Sequence, residues 1–185
     1  MSPAPPPSVP LQCHASTPCE AVRRLEARVH TTQSGQLQLE YSLDADFGRV
    51  RLPEPGPPLR TDGLWRHTCF EAFIAGPDSP DYCELNLSPS SRWAVYRFAA
   101  YREGMAPVDG ITDLRIAVRH VGETLRLDAS LPLHGLPLKR EGVLRLALAA
   151  VIEEHDGRLS YWALRHPPGR PDFHHRDGFV LELHA

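Results

Sequence analysis

Aromatic, carboxylate and amide side chains recur at even spacing between positions 65 and 98. Trp65, His67 and Glu71 occupy odd positions, and Glu84 and Asn86 occupy even positions further along the chain. A flat aromatic ring can pack against the C–H face of a sugar, and carboxylate or amide oxygens can accept hydrogen bonds from its hydroxyl groups. These residue types predict a surface that binds a saccharide or a similar polyol without catalysing a reaction.

A β-hairpin with its loop at 76–81 would bring these side chains to one surface. Successive side chains of a strand point to opposite faces of a sheet, so the apolar positions 70, 72, 74, 83, 85 and 87 would share the face that enters the core. The alternative is a merely solvated face, with both glutamates paired to arginines. The face opposite the core then carries Trp65, His67, Cys69, Glu71, Phe73, Tyr82, Glu84, Asn86 and Ser88.

The register of the next strand, over 92–99, stays open at this point. Arg97 is included among the candidate ligand-binding residues. One of two sets faces the polar surface: Trp93, Val95 and Arg97, or Arg92, Ala94, Tyr96 and Phe98.

A second region, over 161–177, adds Trp162, Phe173 and His174 as candidate ligand-binding residues. Several of its side chains could ligate a metal, but His174 and His175 are neighbours and would point apart on an extended chain. Cys13, His14 and Cys19 also lack a second ligand pair at zinc-finger spacing. No metal site and no cofactor are therefore predicted.

Alternation of apolar and polar residues with a period of two predicts strands along most of the chain. It is clearest at 36–43, at 125–131 and in the final segment at 179–184. The proline-rich segments 53–62 and 167–177 are expected to be ordered loops or edge connections. The count of about eleven strands, with at most short helical turns, predicts an all-β, antiparallel β-sandwich of the jelly-roll type. Further strands are expected near 21–31, 48–52, 67–75, 82–88, 92–99, 114–121, 143–153 and 159–165.

Composition excludes several classes of partner. The 185 residues suffice for one domain, expected at 11–185 after a flexible proline-rich tail at 1–10. The 20 basic and 23 acidic residues give a net charge of −3, which argues against nucleic acid and anionic membranes. The N-terminal segment does not have the pattern of a secretory signal, so we expect a cytoplasmic location with the four cysteines as thiols.

Three long stretches resemble bacterial DOMON-like proteins, which are similar in fold to family 9 carbohydrate-binding modules. Their occurrence in the same order is more specific than any one of them, and the resemblance covers nearly the whole chain after the proline-rich tail. The stretches are LWRHTCFEAFIAG (64–76), YCELNLSPSSRWAVYRFAAYREGM (82–105) and SYWALRHPPGRPDFHH (160–175).

The resemblance implies roles for individual residues. In the carbohydrate-binding relatives a tryptophan and a glutamate six residues later supply a stacking ring and a hydroxyl acceptor, and Trp65 and Glu71 have that spacing. Glu84 would occupy the position of a polar side chain on the next strand, and Phe173 that of a second aromatic ring in a late loop. The relatives have an arginine and a tryptophan at those two positions, so the ligand here can differ.

Two other functions remain open at this point. Glu71 and Glu84 could form a glycosidase pair, because catalytic carboxyl groups lie roughly 5 to 9.5 Å apart. Other DOMON relatives bind haem b through a methionine and a histidine, and Met105 is the methionine available away from the N-terminus.

Overall fold

The computed structural model describes residues 6–139 and 142–184. Within them the protein is an antiparallel β-sandwich, as the sequence predicts. Its thirteen strands are β1 (Val9–Pro10), β2 (Gln12–Cys13), β3 (Val22–Thr31), β4 (Gln36–Ala45), β5 (Cys69–Ala75), β6 (Tyr82–Leu87), β7 (Trp93–Phe98), β8 (Ala106–Pro107), β9 (Arg115–Val121), β10 (Thr124–Pro132), β11 (Val143–Glu153), β12 (Leu159–Ala163) and β13 (Leu181–His184).

The strands form two sheets. The five-stranded sheet has the order β1-β3-β4-β10-β9. The eight-stranded sheet has the order β2-β12-β11-β5-β6-β7-β8, and β13 also pairs with β11. The predicted hairpin is present: β5 and β6 pair antiparallel, with Phe70 opposite Leu87 and Ala75 opposite Tyr82.

The main core lies between the two sheets and follows from the alternating pattern. In β4, Leu37, Leu39, Tyr41 and Leu43 are buried, whereas the residues between them are partly exposed. Each fully buried side chain of this size contributes roughly 1.5 to 3 kcal/mol. From the eight-stranded sheet the same core receives Phe70, Ala72, Ile74, Cys83, Leu85 and Leu87.

A second apolar cluster lies on the outer face of the eight-stranded sheet. Phe73, Tyr82 and Phe98 project from β5, β6 and β7, and the segment after β12 covers them with Phe173 and Phe179. The loop between β12 and β13 therefore covers part of this outer face. This second layer positions the polar residues of the hairpin.

Helical structure in the described residues is limited to three 3₁₀ turns, at Leu64–Arg66, Leu133–Gly135 and Arg176–Gly178. None of the described helices is long and apolar enough to cross a membrane. The prediction of at most short helical turns is confirmed.

Some strand predictions were wrong. The segment 48–52 is not a strand; Val50 forms a single bridge with Glu154. The two-residue strands β1, β2 and β8 were not predicted, because two residues show no periodicity. Val9 and Pro10, in the predicted tail, pair with β3 opposite Ala27 and Glu26. Residues 1–5 of that tail lie outside the described residues.

Candidate functional site

The hairpin places carboxylate, amide and aromatic groups side by side on the outer face of the eight-stranded sheet. Glu71 of β5 lies opposite Asn86 of β6, and Glu84 lies between Phe73 of β5 and Tyr96 of β7. The pairing of β6 with β7 also settles which side chains of β7 face this surface, a question that the sequence left undecided. The side chains of β7 on this face are Ala94, Tyr96 and Phe98.

A pocket of about 350 Å³ opens above this part of the sheet. Its floor comes from the strands, and its walls come from the turn before β5, from the segment after β7 and from the loop after β12. Trp65 and the two glutamates are therefore neighbours in one cavity. The lining residues are Trp65, Glu71, Glu84, Phe98, Arg102, Met105, Val151, Tyr161, Phe173 and His174.

The two carboxylates of the floor are nearly inaccessible. Glu71 is 3% exposed and Glu84 is 4% exposed. The side-chain amide of Asn86 donates to Oε1 of Glu84 at 2.7 Å, whereas Oε1 of Glu71 has no hydrogen-bond partner among the described residues. A buried polar atom without a partner is costly, so Glu71 Oε1 is the atom of this floor most in need of a ligand donor.

Burial changes the protonation of both carboxyl groups. Loss of water raises the pKa of Glu71 well above its ordinary value, and the nearby Glu84 raises it further. Burial also raises the pKa of Glu84, to about 7, although the Asn86 bond and the charge of Arg102 act against it. Two carboxylates so close together do not both ionise readily, so the pair holds a proton near neutral pH.

His174 forms the wall beside Glu84 and is held from both sides. Its Nδ1 is 2.8 Å from the Tyr82 hydroxyl, and its Nε2 is 3.8 Å from Oε2 of Glu84. Burial, followed by the charge of Arg102, lowers the pKa of His174 to about 4. The imidazole is therefore neutral near pH 7. We assign its proton to Nε2, facing Glu84, with the Tyr82 hydroxyl donating to Nδ1.

The rim of the pocket is closed by contacts between two loops. Arg102 Nη2 donates to Oδ1 of Asp172 at 2.8 Å, and the Tyr101 hydroxyl donates to the other oxygen of Asp172. The Arg102 backbone N–H donates to the Tyr82 hydroxyl at 3.1 Å. The two bonds to Asp172 tie the segment after β7 to the loop that carries Phe173 and His174, and the bond to Tyr82 ties the same segment to β6.

Two pairs of aromatic rings contribute to the pocket. Trp65 lies in the first 3₁₀ turn and meets Tyr96 edge to face, with ring centroids 5.8 Å apart. In the second pair, Tyr161 of β12 meets Phe173 edge to face, with centroids 5.9 Å apart. Trp65 and Phe173 are only partly buried, so each keeps ring surface for a ligand.

Five of the nine candidate residues line this pocket, and Asn86 lies beneath it, but three lie elsewhere. The His67 side chain is 56% exposed, and its Nδ1 bonds Oε2 of Glu153 at 2.8 Å in a separate depression. Contrary to the prediction, Trp162 does not line the pocket: it lies opposite Ala150, its side chain belongs to the main core, and its indole N–H donates to Ser160 Oγ. The prediction for Arg97 was also wrong, because Arg97 lies opposite Cys83, on the other side of the sheet, and is exposed.

The pocket also contains residues absent from the candidate set. Arg102 and Met105 come from the segment after β7, whose path the sequence did not indicate. Val151 and Tyr161 lie opposite each other on β11 and β12. The alternation in β12 was the available signal, because Tyr161 and Trp162 must face opposite sides of the sheet.

Met105 and His174, the pair that a haem site would need, both line the pocket. However, the two nitrogens of His174 already face Tyr82 and Glu84, and the floor bears two buried carboxyl groups. An apolar macrocycle would leave those groups without partners. The residues present do not fit haem b.

Comparison with known proteins shows which fold this is. No protein-family model matches the chain, and no curated protein is significantly similar to it in sequence. A crystal structure from Bacteroides uniformis ATCC 8492, described as a candidate carbohydrate-binding protein, superposes with a TM-score of 0.71 and 14% identity, covering 96% of this chain and 85% of that one. The protein has the β-sandwich fold of such proteins.

Two further similar structures are described as a family 9 carbohydrate-binding module from Caldicellulosiruptor kristjanssonii. One is its complex with glucose and the other its complex with cellotriose. Both give a TM-score of 0.50 with 10% identity, covering 87% of this chain and 75% or 74% of the module. At this identity the likeness concerns the fold alone.

Proposed function

We propose that the pocket binds a saccharide or a similar polyol and that the protein does so without catalysing a reaction. The observation that carries the proposal is one cavity in which buried carboxyl groups lie beneath partly exposed aromatic rings. Trp65 and Phe173 supply ring faces, and Glu71 and Glu84 supply hydrogen-bonding oxygens. Asn86 acts from below by orienting Glu84.

The fold supports this proposal. The module from Caldicellulosiruptor kristjanssonii was solved with glucose and with cellotriose, so the same sandwich accommodates sugars in another protein. Our inference that this chain is a DOMON-like protein rests on the three sequence stretches, and its cytoplasmic location is likewise a proposal.

The size of the pocket and the groups lining it suit a small ligand bound with moderate affinity. A volume of about 350 Å³ is at the lower end of the range for small-molecule sites. Covering an aromatic ring over about 100 Å² contributes roughly 2.5 kcal/mol. Two rings and a few hydrogen bonds together reach about −4 to −8 kcal/mol, which corresponds to millimolar to micromolar dissociation constants.

A glycan array followed by calorimetric titration tests the proposal. The wild-type protein is expected to bind at least one saccharide at millimolar concentration or below. Trp65→Ala removes one ring and should weaken that binding by about 50-fold. Phe47→Ala is the matched control, because Phe47 is also partly buried and packs beside His120, away from the pocket. Equal behaviour of wild type and Trp65→Ala, or no binding to any saccharide, would remove the proposal.

One observation favours a second candidate function, a glycoside hydrolase. A general acid needs a raised pKa, and burial raises that of Glu84 to about 7 in a cavity that also contains Glu71. The test is turnover of aryl glycosides. If the wild type releases the phenol and both Glu71→Gln and Glu84→Gln fail to do so, the protein is a glycoside hydrolase. Binding of a saccharide without turnover favours a non-catalytic binding protein.

A further inference from the structure

The floor of the pocket carries two acidic groups without a matching cation. Among the described residues, the basic side chain within 4.0 Å of Glu84 is that of His174, and Glu71 has none. Oε1 of Glu71 is buried and receives no hydrogen bond from the part of the chain that the structure describes, while Glu71 itself lines the cavity. This oxygen therefore needs a hydrogen-bond donor, which a bound ligand can supply.

The charged neighbours of the floor do not balance the two glutamates. Arg102 is the arginine that lines the pocket, but its guanidinium is paired with Asp172 at 2.8 Å. His174 is neutral, because burial lowers its pKa to about 4. Four further titratable neighbours, Cys69, Tyr41, Tyr82 and Tyr96, have pKa values raised by burial and carry no charge near neutral pH.

We propose that the ligand of this pocket carries a protonated amine, as an amino sugar does, and that its ammonium group binds at Glu71 and Glu84. The proposal rests on the saccharide-binding function above and specifies the class of ligand. It concerns the same cavity and adds no second site.

An ammonium group fits the floor better than a hydroxyl group does. It presents three donors and a full positive charge, whereas a hydroxyl presents one donor. Hydrogen bonds between charged partners are roughly twice as strong as neutral ones. The aromatic rings of Trp65, Tyr161 and Phe173 line the same cavity and favour a cation through their electron-rich faces.

Binding of a cation is expected to release a proton. In the free protein the carboxyl pair holds a proton near neutral pH, since the pKa of Glu84 is about 7 and that of Glu71 is raised as well. A neighbouring positive charge lowers both pKa values, so the ammonium displaces this proton. A neutral sugar has no such effect and leaves the pair protonated.

The test compares three sugars that differ at one position: glucosamine, glucose and N-acetylglucosamine. Calorimetric titrations near neutral pH, in buffers with different heats of ionisation, measure affinity and proton release together. Glucosamine should bind about ten-fold more tightly than glucose, which corresponds to one neutral hydrogen bond becoming charge-assisted. It should also release up to one proton, and the other two sugars should release none.

Variants separate the floor from general electrostatics. Glu71→Gln keeps the size of the side chain and should reduce the affinity for glucosamine to that for glucose. Glu84→Gln should do the same, which covers the case in which one variant fails to fold. Glu40→Gln removes a carboxylate from the other sheet and should change neither affinity nor proton release.

The outcomes distinguish this inference from the function on which it rests. If glucose or N-acetylglucosamine binds as tightly as glucosamine, and no proton is released, the amine is not recognised but saccharide binding stands. If neither the three sugars nor any member of the glycan array binds, both proposals fail. A preference for glucosamine that survives in Glu71→Gln and in Glu84→Gln contradicts the placement of the ammonium group.

Discussion

The outer faces of the two sheets both carry carboxylates, but they treat them differently. On the five-stranded sheet the acidic side chains pair with arginines, and every side chain of these pairs keeps at least 20% of its surface exposed. Such partly solvated pairs contribute about 0 to 1 kcal/mol each. The pairs are Arg23 with Asp44 at 2.7 Å, Arg24 with Glu26 at 2.8 Å, Arg28 with Glu40 at 3.1 Å and Arg119 with Asp128 at 3.0 Å.

On the eight-stranded sheet, Glu71 and Glu84 are covered by an aromatic layer and a loop. Burying them lowers the stability of the fold, because each carboxyl group loses water and neither gains an arginine or lysine partner among the described residues. The outer face of the eight-stranded sheet therefore differs from a solvated sheet face. Groups held at such a cost are candidates for ligand binding.

The largest effect is expected from truncating a ring in the apolar layer on the outer face of the eight-stranded sheet. Phe73 is fully buried and contacts the rings of Tyr82, Phe173 and His174. Phe73→Ala should lower the free energy of unfolding by about 3 to 5 kcal/mol. Denaturant unfolding measures this, with Phe47→Ala as the less buried control. A loss below about 1 kcal/mol would mean that the layer is loosely packed.

The next effect concerns the pH dependence of stability. Because the pKa of Glu84 is raised from 4.5 to about 7 in the folded protein, the folded state binds more protons than the unfolded state between these values. The free energy of unfolding therefore falls as pH rises through this window, by on the order of 3 kcal/mol for such a shift. Glu84→Gln removes this contribution.

Denaturant titrations at acidic and at mildly alkaline pH measure it. The variant should match the wild type at low pH and exceed it in stability above pH 7. If wild type and Glu84→Gln lose the same amount of stability as the pH rises, the pKa of Glu84 is not raised in the folded protein.

The smallest effect is expected on the open face. Glu40→Gln breaks the pair with Arg28, whose side chain is 29% exposed while that of Glu40 is 37% exposed. The free energy of unfolding should fall by less than about 1 kcal/mol, and the loss should shrink further in high salt. A loss as large as that of Phe73→Ala would contradict the distinction between the two faces.

The hairpin of β5 and β6 is the part of the site that could be predicted from the sequence. Its alternation fixed which residues of β5 and β6 enter the core, because a slip by one residue would bury Glu71 between the sheets and expose Phe70. The grouping of Trp65, Glu71 and Glu84 followed from the same parity. Phe173 and His174 could be assigned to a late loop, and the structure brings both to the pocket.

The remaining parts of the site depended on information that a strand pattern does not contain. Trp162 and Arg97 have suitable chemistry, but they lie on the inner side of their strands, and the register of β7 relative to β6 was undetermined from sequence. His67 stands just before β5, where the chain leaves the sheet and the alternation no longer applies. Arg102 and Met105 reach the pocket through a loop.

The most direct test of a saccharide site above the eight-stranded sheet is a nuclear magnetic resonance titration of the three tryptophan indole N–H signals. Trp65 lines the pocket, whereas Trp93 and Trp162 belong to the main core. Addition of glucose or glucosamine at millimolar concentration should shift the Trp65 signal and leave the other two in place. Unchanged positions for all three signals, or shifts of Trp93 and Trp162 alone, would contradict a saccharide site on this face of the sandwich.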